Sequence, residues 1–314
     1  FDENMMSQLM NGFPNLKWVS TEVPAVYTGA MMDQNGLNFY LDAAMEYGIP
    51  NDVCPMPAAE LGVELEDDYP RIGKCMIQCN TTCDGSLMGN GVMASRRTIP
   101  SFQLAVPIRH EEDSVQEYAA KEMLNAIKFI EDNTGEKFDW NAFFKTMERF
   151  NEETKHLLEW YEISRSKYPQ VTGNALSLYR YAAYMAAGGR EAPFLPNDEK
   201  ITALAMKGYK NKELSAPQHR HRAITWGVQS ACYTAFCLWI QNCWGIIPIV
   251  DMLTLCSTRM VNTEDPDKAI YDLAWLYEKM IMRSRSNGGY EVGVADLWRY
   301  CEEFNVDMVI MYSH

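Results

Sequence analysis

Apolar residues recur along this chain with two different periods, and the switches between them mark the elements. Between Gly36 and Tyr47, Leu37, Tyr40, Leu41 and Ala44 fall at helical spacing, and Gly48 is a suitable stop. A short strand is expected at Lys17–Ser20. Asn51–Pro55 reads as a loop, followed by a helix opening near Pro57. Lys74–Gln78 is a short strand leading directly into Cys79–Gly85, and Phe102–Val106 is another, closed by Pro107.

The middle of the chain is helical. Asp113 or Ser114 caps a helix carrying Tyr118, Ala119, Met123, Ile127 and Ile130 on one face, ending near Asn133-Thr134-Gly135. Asp139 caps a second long helix through Phe143, Phe144, Met147 and Phe150 towards Trp160 and Tyr161. A third helix is expected at Ala175–Ala187, stopping at Gly188-Gly189. Strands return at Ala223–Val228, Ile246–Val250 and Val306–Met311. Between them lie helices at Cys232–Cys243, from Asp265-Pro266 to about Met280, and at Val294–Phe304.

Strands alternating with helices define an α/β protein. The expected architecture is two Rossmann/flavodoxin-like parallel-sheet units with a helical insert between them. The first unit, carrying the cysteine turns, takes residues 1–110, the insert 111–215 and the second unit 216–314. No internal repeat or low-complexity segment interrupts this order. In open parallel sheets, ligands bind beyond the carboxyl ends of the strands. The informative places are therefore the loops after Gln78, after Val228 and after the last strand.

Composition removes several function classes. The chain has 314 residues, 47% hydrophobic, with a formal net charge of −14 and no basic block. Phosphate-backbone binding needs clustered Lys and Arg, so no nucleic-acid partner is expected. No run of about 18 apolar residues occurs, so no membrane span is expected either. The absence of a visible signal peptide points to the cytoplasm. The chain begins at Phe1 rather than Met, so upstream residues are expected.

Nine cysteines, an odd count in a long chain, fit reduced thiols or metal ligands better than a disulfide framework. The densest group is Cys75, Cys79 and Cys83. Cys75 falls inside the expected strand, Cys79 at its end and Cys83 in the loop beyond. Asn80, Asp84 and Gly85 are turn formers that bring backbone N–H groups towards a ligand, and thiolates tuned by such groups hold iron–sulfur clusters. Cys54, between Asp52 and Pro55, lies in another loop that can supply a ligand from a distance. Against this stands the ordinary role of cysteine as a small buried hydrophobe. That role suits Cys75 and also Cys232, Cys237, Cys243, Cys256 and Cys301; for Cys54, Cys79 and Cys83 spacing weighs the two roles evenly. Zinc is the rival metal, but a full four-ligand pattern is absent.

Gln218-His-Arg-His-Arg222 is the one histidine cluster; it fits a metal-binding strand or, more simply, a polar lead-in to the strand at Ala223. Arg96-Arg97 suits either CoA phosphates or a solvated surface, and Gly227 after Trp226 permits close ligand approach at a strand end. No G-x-S-x-G, Walker, G-x-G-x-x-G or H-E-x-x-H motif occurs. Any ATP requirement would fall to another protein.

Tyr47-Gly-Ile-Pro-Asn-Asp-Val-Cys54 followed by Gln78-Cys-Asn-Thr-Thr-Cys-Asp84 resembles the cysteine-bearing half of 2-hydroxyacyl-CoA dehydratase subunits, the family of 2-hydroxyglutaryl-CoA dehydratase and benzoyl-CoA reductase. The resemblance continues through Ile130–Asp139, Gln218–Arg222 with Gly227, and Asn305–Met311, in the same order over nearly the whole chain. It implies a [4Fe–4S] cluster held by three cysteines with one iron open. Cys54 matches the first ligand, Cys83 or Cys79 the second, with Cys83 favoured by its Cys-Asp turn. The third is expected a few residues beyond His314, making this chain an incomplete copy.

The resemblance further implies a hydro-lyase of anaerobic amino-acid fermentation. Its partners would be a second homologous subunit, an ATP-dependent iron–sulfur activator protein and a 2-hydroxyacyl-CoA substrate. One electron delivered to the thioester would form a ketyl radical, expel the 2-hydroxyl, permit loss of a β-proton and then be recovered, leaving an enoyl-CoA. A benzoyl-CoA reductase-type subunit is the alternative within enzymes. A non-catalytic metal-binding or assembly protein is the alternative outside them.

Overall fold

The computed structural model describes residues 7–18, 34–69, 73–79, 84–105, 113–173, 194–227, 235–252, 255, 259–278 and 290–311. The chain starts with a helical turn, α1 (Ser7–Met10), and then the helices α2 (Gln34–Tyr47) and α3 (Pro55–Leu65). Strand β1 (Met76–Cys79), helix α4 (Asp84–Arg96) and strand β2 (Ser101–Leu104) form a strand–helix–strand unit. β1 and β2 pair in parallel, with Cys79 opposite Leu104. The long helices α5 (Asp113–Thr134), α6 (Trp140–Arg165) and α7 (Phe194–Lys210) follow.

The last part contains β3 (His221–Trp226), a short helix α8 (Phe236–Trp239) that widens into a π-helical turn at Ile240–Trp244, and β4 (Ile246–Asp251). Helices α9 (Pro266–Glu278) and α10 (Tyr290–Glu303) and strand β5 (Met308–Met311) complete it. These three strands are all parallel, in the order β4-β3-β5. The chain leaves β3 for β4 on one side and later returns to β5 on the other, so the strand order reverses at β3. The protein is therefore α/β with parallel sheets, as expected.

The local stops and caps follow the sequence closely. Gly48 ends α2 with φ +114°, and the amides of Gly48 and Ile49 bond the carbonyls of Met45 and Ala44. Gly135 has φ +79° just beyond α5. Asp139 Oδ1 accepts from the Asn141 and Ala142 amides and starts α6, and Asp265 Oδ1 accepts from Asp267 and Lys268 at the start of α9. Between α5 and α6, the Glu131 carboxylate accepts from the Phe138 amide and pairs with Lys137; both hold its pKa below the usual range, the amide most.

One continuous apolar cluster runs from Ile77, Cys79 and Leu104, through Met123, Ile130, Phe143, Met147 and Trp160, to Ile224, Ile249 and Leu273. The two sheets are thus linked through α5 and α6. Two smaller clusters surround α3. Ala59 and Val63 pack with Tyr69 against Leu37, Tyr40 and Leu41 of α2; Leu61 packs with Met76 of β1 and Met93 of α4. A helix buried on both sides like this needs close approach. A Cβ on Gly62 would lie 2.0 Å from the Tyr40 carbonyl oxygen. Alanine normally favours a helix over glycine by about 1 kcal/mol, but this overlap with backbone would separate α2 from α3 at a cost of about 1–3 kcal/mol. Gly62→Ala is therefore expected to lower the urea midpoint, and a raised midpoint would show that the two helices are not held this closely.

Several elements depart from the sequence reading. Lys17 and Trp18 are not in a strand, and the remainder of that expected strand, like the helix expected at Ala175–Ala187, lies outside the described residues. β1 begins at Met76, leaving Cys75 just before it. Helix α7 was not expected: its buried positions are Asp198, Thr202, Ala205 and Gly208, a polar and small stripe without apolar periodicity. Thr202 Oγ1 accepts from Trp160 Nε1, and a Cβ on Gly208 would lie 2.2 Å from Gln170 Oε1, so α7 docks by a hydrogen bond and close approach. The strand expected at Val306–Met311 is observed as β5 over Met308–Met311, with Val309 and Met311 exposed.

Candidate iron–sulfur site

Of the cysteines singled out by spacing, Cys54, Cys75 and Cys79 lie among the described residues. Cys79 is the last residue of β1 and only 1% exposed, packed in the main core with Ile77 and Leu104. Cys54 is half-buried and directly precedes α3, at its N-cap. Cys83 directly precedes α4 in sequence and lies outside the described residues.

Helices α3 and α4 run side by side in the same direction. A Cβ on Gly89, midway along α4, would lie 3.6 Å from the Pro57 carbonyl oxygen and 3.9 Å from Leu61 Cβ of α3. Further along, Met93 packs against Leu61. At the far end, Arg97 Nη2 is 2.6 Å from Glu64 Oε2, and Arg96 donates to the Leu65 carbonyl. Contacts that advance together along both helices place their N-termini at the same end. That end lies on the carboxyl side of β1, because α4 begins five residues after Cys79 and its middle is held at that strand end, where Asn90 Nδ2 donates to the Cys79 carbonyl at 3.1 Å. Cys54 therefore heads one of two parallel helices, and the other begins one residue after Cys83.

The electrostatics at this edge favour anionic sulfur. Helix N-termini carry partial positive charge and lower the pKa of adjacent thiols. Prolines at 55 and 57 contribute no N–H, and the Ala58 amide already bonds the Cys54 carbonyl at 3.4 Å. Of the first backbone donors of α3, Met56 N–H is thus the one without a partner inside the helix. Soft thiolates at the ends of neighbouring elements suit an iron–sulfur or zinc ion better than a hard cation. Among the described residues, no group of three or more His, Cys, Asp or Glu side chains converges to hold a metal ion, so those residues do not complete a ligand set.

The other sequence candidates have structural employment. Arg97 bonds the fully buried Glu64 through Nε and Nη2 and stacks on Tyr69; Arg96 lies near Glu64 and Asp67. The arginine pair thus ties α3 to α4 rather than standing ready for CoA phosphates. Cys75 is half-buried, its thiol pKa raised by burial, and Cys237 is buried, whereas Cys243 is exposed. Cys301 is partly buried, and burial followed by Glu302 raises its pKa. Cys232 and Cys256 lie outside the described residues.

In the histidine cluster, His221 Nδ1 is 3.4 Å from Asp307 Oδ1, and burial keeps the pKa of His219 low. Both lie at the amino end of β3, away from the edge where ligands bind. Arg222, directly after His221, donates from Nη1 to the Ser166 carbonyl and from Nη2 to Ser164 and Phe304. Its Nε adds Phe304 and Asn305. It caps the carboxyl ends of α6 and α10 on the edge of the sheet. At the opposite edge, Gly227 has φ +107° directly after β3, where the order of strands reverses. Thr225 Oγ1 donates to Asp251 Oδ2 at 3.0 Å beneath it, both residues buried.

Sequence reasoning missed Asn90 and Gln78, whose buried amides organise the end of β1. The signal available was Asn90 within the glycine-bearing stretch Gly89-Asn90-Gly91, where a buried polar residue sits between small ones.

Among the described residues no helix is long and apolar enough to cross a membrane. The chain is similar to the (R)-phenyllactyl-CoA dehydratase alpha subunit of Clostridium sporogenes, with 27% identity over 165 residues, covering 50% of this chain and 40% of that subunit. The chain thus matches less than half the length of that relative. It also matches the family described as 2-hydroxyglutaryl-CoA dehydratase, D-component (HGD-D), over residues 21–314. That match takes in both cysteine turns, both parallel sheets and the helices between them, and the chain belongs to the 2-hydroxyglutaryl-CoA dehydratase D-component family.

Proposed function

We propose that this chain is a subunit of an iron–sulfur-dependent 2-hydroxyacyl-CoA dehydratase, with Cys54 and Cys83 as cluster ligands. The observation that supports this reading is the parallel run of α3 and α4, which turns the N-termini of both helices to the carboxyl side of β1, each preceded in sequence by a cysteine. The two parallel sheets are read as two doubly wound units, spanning 1–110 and 216–314, about the helical segment 111–215. Cys79 is placed in the core: at 1% exposure among Ile77 and Leu104, its side chain serves packing.

In this reading Cys54, at the N-cap of α3, is one ligand of a thiolate-bound cluster and Cys83 a second. Bound there, a [4Fe–4S] cluster would supply one-electron chemistry and an iron able to polarise an oxygen. The chain's own part is to hold and orient. Cys54 and Cys83 contribute thiolates, which the positive ends of α3 and α4 stabilise. Leu61, Met76 and Met93 pack α3, α4 and the start of β1 against one another, which holds the two helices side by side. The net reaction removes the 2-hydroxyl and a β-proton as water, with no net oxidation. A second homologous subunit and an ATP-dependent activator complete the proposed assembly, and its substrate is a 2-hydroxyacyl-CoA.

Anaerobic reconstitution of the full-length protein tests this reading. Iron and sulfide should be retained through gel filtration, and turnover of 2-hydroxyacyl thioesters should require activator, ATP and reductant. Absence of iron would remove the proposal; retained iron with reduction of an aromatic thioester and no dehydration would replace it with a benzoyl-CoA reductase-type activity.

A further inference from the structure

The surface formed by α8 and its π-helical turn combines exposed aromatic side chains with a complete lack of charge. Residues 223–250 contain no Asp, Glu, Lys, Arg or His, in a chain of which 22% is charged and whose net charge is −14. Leu238, Trp239 and Trp244 are 49%, 51% and 52% exposed, and Asn242 and Cys243 beside them are exposed as well. Monomeric proteins seldom leave such side chains together in water.

The π-turn is what brings them together. In an α-helix of about 3.6 residues per turn, residues five apart point to well-separated sides. The wider turn at Ile240–Trp244 returns Trp244 to the side of Trp239, and the two rings meet edge to face, 6.0 Å between centroids and 76° between planes. Phe236 lies 6.2 Å from Trp239. The inner side of the same turn is fixed. Gln241 is buried, with Thr172 Oγ1 donating to its Oε1 at 3.1 Å and its Nε2 donating to the Ser215 carbonyl at 2.9 Å. Gly245, at φ +68°, closes the turn, and its carbonyl accepts from the Arg220 and His221 amides. The aromatic pair thus stands on a rigid base, so little freedom is lost when a partner covers it.

The chemistry of the face selects its occupant. An anionic membrane surface or a nucleic acid repels a chain of net charge −14. A basic partner finds no carboxylate on this face to pair with. Two copies of an acidic chain repel wherever their charged surfaces meet, and an uncharged face is where they approach at least cost. A two-fold contact sets each patch against itself, so the patch must be self-complementary. Its polar groups are: the Asn242 amide carries both donors and an acceptor, and the Cys243 thiol is weak in both roles. The tryptophans supply the anchors that dominate interface centres.

We propose that this face is where a second copy of the chain docks, with Trp239, Asn242 and Trp244 of each copy meeting across a two-fold axis. The contact is separate from the cysteine turns and needs no iron.

Sedimentation velocity on reduced full-length protein tests this, with circular dichroism to establish that each variant is folded. Wild type should show a reversible monomer–dimer equilibrium. Trp239→Lys and Trp244→Lys should each weaken the dimer about 30-fold or more, the loss expected of a hot-spot residue. Trp298→Lys, at a 66% exposed tryptophan on α10, should leave it unchanged. Asn242→Asp sets like charges against each other from an exposed position, so it should weaken the dimer at low salt and recover as salt rises. That variant keeps the test decisive even if the tryptophan variants fail to fold. A wild type that is monomeric at every concentration overturns the proposal. So does a dimer that keeps its affinity in every folded variant of this face, or one that dissociates only with Trp298→Lys. A chain that is monomeric alone and uses this face only for a homologous subunit overturns it in favour of that subunit.

Discussion

Serine at position 54 or 83 is expected to lower iron retained by reconstituted protein by roughly 10-fold or more, since replacing even the groups behind metal ligands costs about 10–100-fold in affinity. Alanine at position 79 is expected to keep the iron and instead lower stability by about 1 kcal/mol, as for other small deletions in a packed core. The contrast follows from location. Cys79 packs among Ile77, Leu104 and their neighbours, whereas Cys54 stands half-buried at the start of a helix. Oxygen of serine is a hard, weakly acidic ligand, and the helix N-terminus that favours a thiolate does little for a hydroxyl whose pKa is far higher. Iron and sulfide assays on the three variants, normalised to folded protein by circular dichroism, decide the matter. Iron lost on Cys79→Ala but kept on Cys83→Ser would exchange the roles of these two residues. Iron kept in all three would remove the site.

Arg222→Met is expected to be the most destabilising single substitution away from the cysteines, at about 3 kcal/mol or more. The guanidinium serves the carbonyls of Ser164, Ser166, Phe304 and Asn305, and its own amide is held by Asp307 Oδ1 at 3.0 Å. Removing it strands acceptors at the ends of two helices, each costing about 1–3 kcal/mol where water cannot reach. Arg222→Lys should recover less than half the loss. Lysine offers one tetrahedral ammonium where the planar fork spans acceptors on both sides. Denaturant unfolding measures both variants; a lysine variant within about 0.5 kcal/mol of wild type would show that charge, not the fork, holds these helix ends.

These two residues illustrate how differently the chain discloses its parts. Arg222 was visible only as one of a run of polar residues before a strand, and the histidines beside it drew attention as metal ligands. The neighbours that give Arg222 its role lie 56 to 83 positions away in sequence. No local pattern carries that information. Arg96-Arg97 is similar: as a pair it suggested phosphate binding, and only the packing of α3 on α4 brings Glu64 within reach. The cysteine turns were legible because their chemistry is concentrated in a few positions and their order along the chain matches a family.

The sequence by itself determined the helices with apolar faces, their caps at Asp139 and Asp265, their stops at Gly48 and Gly135, and the apolar strands. These are set by neighbours within about one turn of chain, so local composition suffices. It also determined family membership, through the order of motifs. Only the tertiary structure decided that α7 exists as a docked helix, because its buried stripe is polar and small and finds its partners on Trp160 and Gln170. The same holds for the close packing of α2 on α3, which requires Gly62 to admit the Tyr40 carbonyl, and for the side-by-side course of α3 and α4, whose contacts no local window contains. It holds too for the amides of Gln78 and Asn90: burial made them a tie between β1 and α4, and burial is a property of what packs around a residue rather than of the residue itself.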